Sequence, residues 1–209
     1  GNTRKCALYS NCLTYTYPDY PFINHHWGSE VIFYLVHKWA GFSGIIILKT
    51  AVLGLAFIVT ALHSAPRGPS SLKRTVLYAI AIAITFLSVQ MMADRLTTRP
   101  EIFGYLLFSL LFLLLNSSFP KRHFSLFLAS CSLLIALWVN LHISFIFGLI
   151  LIYLWSFSTL IKKGPALRRK AGPYQTIDAP SIPTILAIPT ISTIITLLNP
   201  SGLRGALMP

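Results

Sequence analysis

Long apolar runs constrain this chain more than any other feature of its sequence. Hydrophobic residues make up 55% of its 209 positions and charged residues only 11%. A helix needs about 20 apolar residues to cross a bilayer, and a run such as 105–115 has no polar face to show to water. We therefore expect an all-α polytopic membrane protein and prefer it to a soluble helical core. The runs predict six crossings, at residues 42–62, 75–92, 102–116, 124–139, 143–161 and 183–198.

Basic residues indicate which loops face the cytoplasm, because Lys and Arg in short loops resist translocation. If the loops after the first, third and fifth crossings are cytoplasmic, most basic loop residues lie inside: Arg67, Lys73, Arg74, Lys121, Arg122, Lys162, Lys163, Arg168, Arg169 and Lys170. Four of the five acidic residues then lie outside: Asp19, Glu30, Asp94 and Glu101. In this arrangement the net charge of +12 anchors loops against anionic lipid, which argues against a nucleic-acid partner.

The chain divides into four parts in this topology. Residues 1–41 form an outer loop and an interfacial helix, and residues 42–161 form a bundle of five spans. Residues 162–182 form a basic cytoplasmic linker, and residues 183–209 form the sixth span and an outer turn. Gly1 is not a start residue and the outer turn stands near the last residue, so we expect a fragment truncated at both ends.

Two residues are expected to shape particular helices. Ser29 is of the residue type that caps a helix N-terminus, and it precedes an interfacial helix running from Glu30 toward Trp39. Pro189 lacks a backbone N–H and is expected to kink the sixth crossing.

The first outer segment carries candidate acid–base and binding residues. Asp19 and Glu30 suit acid–base work, because the edge of a low-dielectric region can move a carboxyl pKa toward neutrality. As an alternative, they are solvated loop charges. His25 and His26, with carboxylates nearby, suit a divalent cation, although ordinary hydrogen bonding explains adjacent histidines as well. No cofactor is assigned, and a divalent cation stays an open alternative.

The second outer loop has the character of an anion site. Pro100 stands in the first turn of the third crossing, so Arg99 lies where free amides and the helix dipole favour an anion. Arg95 and Arg99 together make a clamp for a phosphate, since a guanidinium grips two oxygens at once. In the alternative, Asp94 and Glu101 form ion pairs with these arginines and stabilise the loop.

The third outer turn joins the fourth and fifth crossings tightly. Asn140 and His142 therefore lie at the membrane mouth, where they either bind a ligand or cap the two helix ends. The crossings contain no acidic residue, and Lys49 lies near enough to the outer end of the first crossing to reach water. This distribution disfavours an ion-coupled transporter, which needs ionisable groups at mid-membrane.

Taken in order, these segments resemble a family. They comprise residues 15–27 (YTYPDYPFINHHW), Glu30, residues 99–101 (RPE), residues 137–142 (LWVNLH) and residues 199–202 (NPSG). The set is similar to a group of bacterial polytopic membrane proteins that resemble the C-type glycosyltransferases. The resemblance implies a multi-span helical fold, an acidic catalytic residue in the first outer loop, and a polyprenyl-phosphate-linked sugar as donor.

The chain departs from that pattern at two places. Many relatives carry an acid a few residues before the Tyr-Thr pair, where this chain has Asn11, so a general base is not carried over there. After His142 the chain reads Ile143-Ser144, where relatives often have glycines, and these larger residues narrow the mouth.

We therefore expect a glycosyltransferase acting at the outer, periplasmic face of a bacterial cytoplasmic membrane. Asp19 or Glu30 would act as base toward an acceptor of unspecified identity. Membrane lipid and the lipid-linked sugar are the expected partners. The substrate-binding residues would be His25, His26, Arg95, Arg99, Glu101, Asn140 and His142. A lipid-linked saccharide flippase and a non-catalytic membrane scaffold are the alternatives.

Overall fold

The computed structural model describes residues 23–64, 71–91, 98–117, 123–168 and 181–207. Within these ranges the secondary structure is helical, without a strand, and the predicted all-α class is confirmed. The helices are α1 (Trp27–Ser64), α2 (Ser71–Met91), α3 (Glu101–Asn116), α4 (Phe124–Leu141), α5 (Phe145–Arg168), α6 (Ile182–Ile195) and α7 (Gly202–Leu207).

Three of these helices are long and apolar enough to cross a membrane, judged by length and composition. They cover Trp27–Ala61, Phe124–Leu141 and Phe145–Lys162. The other predicted crossings fall on shorter apolar stretches, at Thr75–Ile84, Glu101–Asn116 and Ile182–Ile195. The described residues thus support a membrane protein with three candidate spans, and the six-crossing arrangement stays a prediction.

Large apolar side chains cover much of the outer surface of the bundle. Trp39 is 86% exposed, Phe42 77% and Ile82 68%. Soluble monomers rarely expose apolar area on this scale, whereas lipid tails accept it. The surface therefore agrees with the apolar helices in indicating a membrane protein.

A sharp break at Gly41 divides α1 into two helices. Gly41 has φ 59° and ψ −157°, a conformation that only glycine adopts readily. A Cβ built on Gly44 would lie 3.3 Å from the carbonyl oxygen of Val36, although eight residues of straight helix would separate the two by about 12 Å. The chain therefore turns sharply here, between the helices that the sequence predicts at 30–39 and 42–62.

The start of α1 differs from the prediction. The helix begins at Trp27, so Ser29 lies inside its first turn and is not the N-cap. Just before the helix, Asn24 Oδ1 accepts a hydrogen bond of 2.8 Å from the backbone N–H of His26. The predicted cap at Ser29 was wrong because the helix begins two residues before it, at Trp27.

Helices α3 and α5 run in the same direction, side by side. Gly104 lies against Ser144 at one end, where a built Cβ would be 2.5 Å from the serine Oγ. At the other end Trp155 Nε1 donates a 2.7 Å hydrogen bond to the carbonyl of Leu115. The sequence offset between the contacting residues is forty at both ends. Because the offset does not change along the pair, the two helices run in the same direction. The α4 helix packs against both, and its Trp138 fills the space beside Gly148 of α5.

The second half of α1 also runs parallel to α3. Leu53 and Phe103 belong to one buried apolar cluster near one end, and the Thr60 and Ser109 hydroxyls lie 3.1 Å apart further along. The starts of α1, α3 and α5 therefore share one end of the bundle with the C-terminal ends of α4 and α6. This is the end at which the sequence predicts the outer segments.

Helix α6 continues through Pro189. Proline has no N–H, so the carbonyl of Ile185 loses its partner within the helix. Ser156 of α5 lies within reach and donates to that carbonyl at 3.4 Å. A neighbouring helix thus satisfies the group that the proline leaves open.

We predict that Gly41→Ala destabilises the protein by about 1–3 kcal/mol, the cost of holding a residue with a side chain in this region of φ and ψ. Thermal unfolding of the purified protein in detergent measures the change. Gly54→Ala is the matched control, since a Cβ at Gly54 meets nothing within 4 Å. Equal stability of Gly41→Ala and the parent would show that the break at Gly41 is not required.

Candidate functional site

The candidate site lies at the end of the bundle where α1 begins and α4 ends. Gly28 packs directly on the turn after α4, and a Cβ there would be 2.6 Å from the backbone oxygen of Asn140. Ser29, fully buried, lies 2.9 Å through its Oγ from the carbonyl of Leu141 and 2.8 Å from that of His26. These small residues bring the start of α1 onto the turn between α4 and α5.

Two histidines from these segments stack on each other. The ring centroids of His26 and His142 lie 4.8 Å apart, with 24° between the ring planes. His26 immediately precedes α1, and His142 is the extended C-cap residue of α4, its N–H donating to the carbonyl of Trp138 at 3.0 Å. Both side chains are half-buried. Two residues that the sequence singled out separately therefore form one pair.

The ring of His142 is held by its own turn. The backbone N–H of Ser144 donates to His142 Nδ1 at 3.1 Å, and Ser144 Oγ lies 2.7 Å from the same nitrogen. Trp138 Nε1 in turn donates to Ser144 Oγ at 3.0 Å. Gly104 of α3 leaves the space that this group occupies, because a Cβ there would collide with Ser144 Oγ.

Burial keeps the two histidines uncharged. Desolvation, with a further contribution from the neighbouring His26, lowers the pKa of His142 from 6.5 to about 4, and Glu101 opposes the shift. Desolvation and His25 lower the pKa of His26, while Glu30, the Leu141 carbonyl and Glu101 oppose the shift. At neutral pH the site therefore presents two neutral imidazoles with carboxylates nearby.

Glu30 stands on the same side as His26. Asn24, which is buried, donates from Nδ2 to Glu30 Oε2 at 2.7 Å while accepting the N–H of His26. Glu30 itself is exposed. The carboxylate is thus oriented by a buried amide and open to solvent, as a group that meets a substrate would be.

The start of α3 contributes Glu101 to the site. Glu101 begins α3, is half-buried, and is close enough to affect both His26 and His142 electrostatically. Tyr105 donates to its Oε2 at 3.5 Å. Arg99 is exposed just before the helix, with Pro100 as the N-cap residue. The predicted residues Asp19 and Arg95 lie outside the described residues.

Asn140 has a structural role. Its Oδ1 accepts from Trp27 Nε1 at 3.0 Å, and its Nδ2 donates to the carbonyls of Ala136 and Leu198 at 2.8 Å each. The amide thereby ties the start of α1 and the end of α6 to α4. Both N–H groups that Asn140 would offer a ligand are used by the protein.

Across the described ranges, no group of three or more His, Cys, Asp or Glu side chains is placed to hold a metal ion. Within the same ranges, His26 Nδ1 is buried without a hydrogen-bond partner.

Sequence reasoning missed the roles of Gly28, Ser29, Gly104 and Trp138, and it noted Ser144 only as a larger residue beside the mouth. Apart from Trp138, these are small residues placed near the ends of apolar runs. That signal indicates a close approach without naming the partner.

We predict that Asn140→Ala destabilises the protein by about 1–3 kcal/mol, because the partly buried Trp27 Nε1 loses its hydrogen-bond partner and the Leu198 carbonyl loses the amide that ties it to α4. Thermal unfolding in detergent measures the loss. Asn116→Ala is the control, since Asn116 is exposed and donates to Phe112 of its own helix. A loss of stability no larger than that of the control would contradict the structural role of Asn140.

We also predict that stability falls as the pH is lowered from 6.5 toward 4. Across this window the unfolded chain binds a proton at His142 that the folded protein resists, so acid favours unfolding. The melting temperature of His142→Gln should depend less on pH in this window than that of the parent. His123→Gln, which changes an exposed histidine at the other end of α4, should keep the parent dependence. Identical pH profiles for His142→Gln and the parent would contradict the burial of a neutral His142.

Comparison with protein-family models, with curated proteins and with solved structures finds no match for this chain. The functional argument therefore rests on the residues and geometry of the site.

Proposed function

We propose that this chain belongs to a membrane glycosyltransferase that takes its sugar from a polyprenyl-phosphate donor at the outer face of a bacterial cytoplasmic membrane. In this proposal the helices cross the membrane six times and resemble the C-type glycosyltransferase fold. One observation carries it: His26, Glu101 and His142, from three separate outer segments, meet at the same end of the bundle.

The proposed reaction needs a group that receives the proton of the acceptor hydroxyl. Glu30 suits this step because a buried amide orients it while its other side is open to solvent. Asp19 is the alternative base from the sequence. The acceptor oxygen bonds to the anomeric carbon, its proton passes to the carboxylate, and the bond from that carbon to the phosphate oxygen breaks.

The leaving polyprenyl phosphate carries away the electron pair and needs compensating donors. Arg99 stands at the start of α3, where the helix dipole also favours an anion. Arg95 would complete the clamp. Fixed donors at the edge of a low-dielectric region stabilise such charge better than water does, because they need no reorganisation as the charge develops.

His25 and His26 are proposed to line the sugar site together with Glu101 and His142. Neutral imidazoles suit sugar hydroxyls, since each ring has one donor and one acceptor nitrogen. Two of these rings are neutral at physiological pH because they are half-buried. Asn140, predicted as a ligand-binding residue, is assigned instead to holding the site together.

A non-catalytic scaffold is the second candidate, and the bonding of Asn140 favours it. In a scaffold, the other polar side chains at this end of the bundle would only hold helices together. Each would then have its hydrogen bonds made within the protein, as Asn140 does. The exposed carboxylate of Glu30 and the exposed Arg99 support the enzyme over the scaffold in this proposal.

We predict that membranes carrying the protein, expressed at its encoded full length, release polyprenyl phosphate from at least one member of a panel of polyprenyl-phosphate sugars. Replacing the base, by Glu30→Gln or Asp19→Asn, should lower release by about 10²–10⁴-fold. Arg99→Ala should lower it by about 10²–10³-fold through loss of a charge-stabilising donor.

His123→Gln is the control for these variants, because it changes an exposed histidine at the opposite end of α4. Movement of the intact donor between leaflets without release would indicate a flippase. If a folded, membrane-inserted protein gives neither release nor movement of the donor, the result favours the scaffold and overturns the enzyme. Release that persists unchanged in both carboxylate variants would overturn their assignment as base.

A further inference from the structure

The hydrogen bonds around His142 determine which of its ring nitrogens carries the proton. A backbone N–H can only donate, and the N–H of Ser144 points at His142 Nδ1 over 3.1 Å. Nδ1 must therefore present a lone pair. In a neutral imidazole the proton then sits on Nε2.

The hydroxyl of Ser144 reinforces this state. Trp138 Nε1 is a donor only, so Ser144 Oγ accepts from it at 3.0 Å. The hydroxyl proton is then free to point at His142 Nδ1, which lies 2.7 Å away. Trp138, Ser144 and His142 form a directed chain of hydrogen bonds that ends on the lone pair of Nδ1.

The orientation of the ring is fixed as well as its tautomer. His26 stacks on one face at a centroid distance of 4.8 Å, and Gly104 leaves room for the serine that holds Nδ1. Among the described residues, Nε2 makes no hydrogen bond and is not one of the buried unpartnered atoms, which are His26 Nδ1 and Ser192 Oγ. The protonated nitrogen of His142 therefore faces accessible space at the site.

We propose that Ser144 is the positioning residue that holds His142 as the Nε2–H tautomer, so that His142 offers a bound lipid-linked sugar phosphate a hydrogen-bond donor and not a base. The tautomer follows from the contacts of this turn, whereas its use toward the sugar phosphate rests on the proposed function. The ligand atom that meets Nε2 is an oxygen, of either the phosphate or the sugar. A proton-accepting role in transfer falls to a carboxylate.

Nitrogen-15 NMR of histidine-labelled protein in nanodiscs tests the tautomer directly. The His142 signals are identified by their loss in His142→Gln. At pH 7 we expect Nδ1 to be unprotonated and Nε2 to be protonated. In Ser144→Ala the backbone N–H still faces Nδ1, so the Nε2–H form should stay the major one, and loss of the hydroxyl should let a minor Nδ1–H form appear beside it. Ser144→Thr, which keeps the hydroxyl, should retain the parent pattern.

Ser130→Ala is the control, since Ser130 lies on the same helix as Trp138 and bonds to Leu126 of that helix. Protonation of Nδ1 in the parent would overturn the proposal. An unchanged spectrum in Ser144→Ala would overturn the positioning role of the hydroxyl. Because these readings need no substrate, they stand whether or not the protein transfers sugar.

A second experiment tests the donor role. Adding a polyprenyl phosphate to the nanodiscs should shift the His142 Nε2 signal, and binding that moves other signals but leaves this one in place would overturn the role. In transfer assays His142→Gln, whose amide N–H reaches the position of Nε2, should lose less than about tenfold, the worth of one hydrogen bond. His142→Asn, whose amide stops short of it, should lose more. Equal losses of about 10²-fold or greater in both would indicate a base.

Discussion

The short turn between α4 and α5 imposes the constraint on which the rest of the structure depends. A helix satisfies its own backbone groups, but a turn at the end of an apolar bundle presents carbonyls and side chains that need partners from elsewhere. Ser29 meets the carbonyl of Leu141, and Trp27 meets the amide of Asn140. These partners come from α1, so the turn is satisfied only when the start of α1 lies across it.

The same packing shapes the chemistry of the site. Covering the turn removes water from His26 and His142, and this desolvation keeps both rings neutral although acidic side chains stand nearby. The resulting site is a set of neutral donors and acceptors with Glu101 beside it. In the proposed function this site would bind the uncharged sugar, and Arg99 at the start of α3 would compensate the charge of the phosphate.

Part of this arrangement is predictable from local sequence. The helices on either side of Gly41 follow from apolar periodicity. The position of Asn140 and His142 at the ends of apolar runs is also predictable. Their roles were not predictable in the same way. Asn140 is a tie between three helices, and Ser29 is a buried contact and no cap, because both roles depend on residues more than a hundred positions away. Asp19 and Arg95 stay predictions outside the described residues.

The sequence by itself determined the helical class, the membrane character and the end of the bundle where polar chemistry gathers, because apolar run length and charge placement are local properties of a chain. Only the tertiary structure decided which polar groups touch. Gly28 against Asn140 and Gly104 against Ser144 are approaches between separate helices, and they depend on axis direction and on the absence of a Cβ. Spacing along the chain leaves no trace of such contacts, so the pairing of His26 with His142 emerges only when the helices pack.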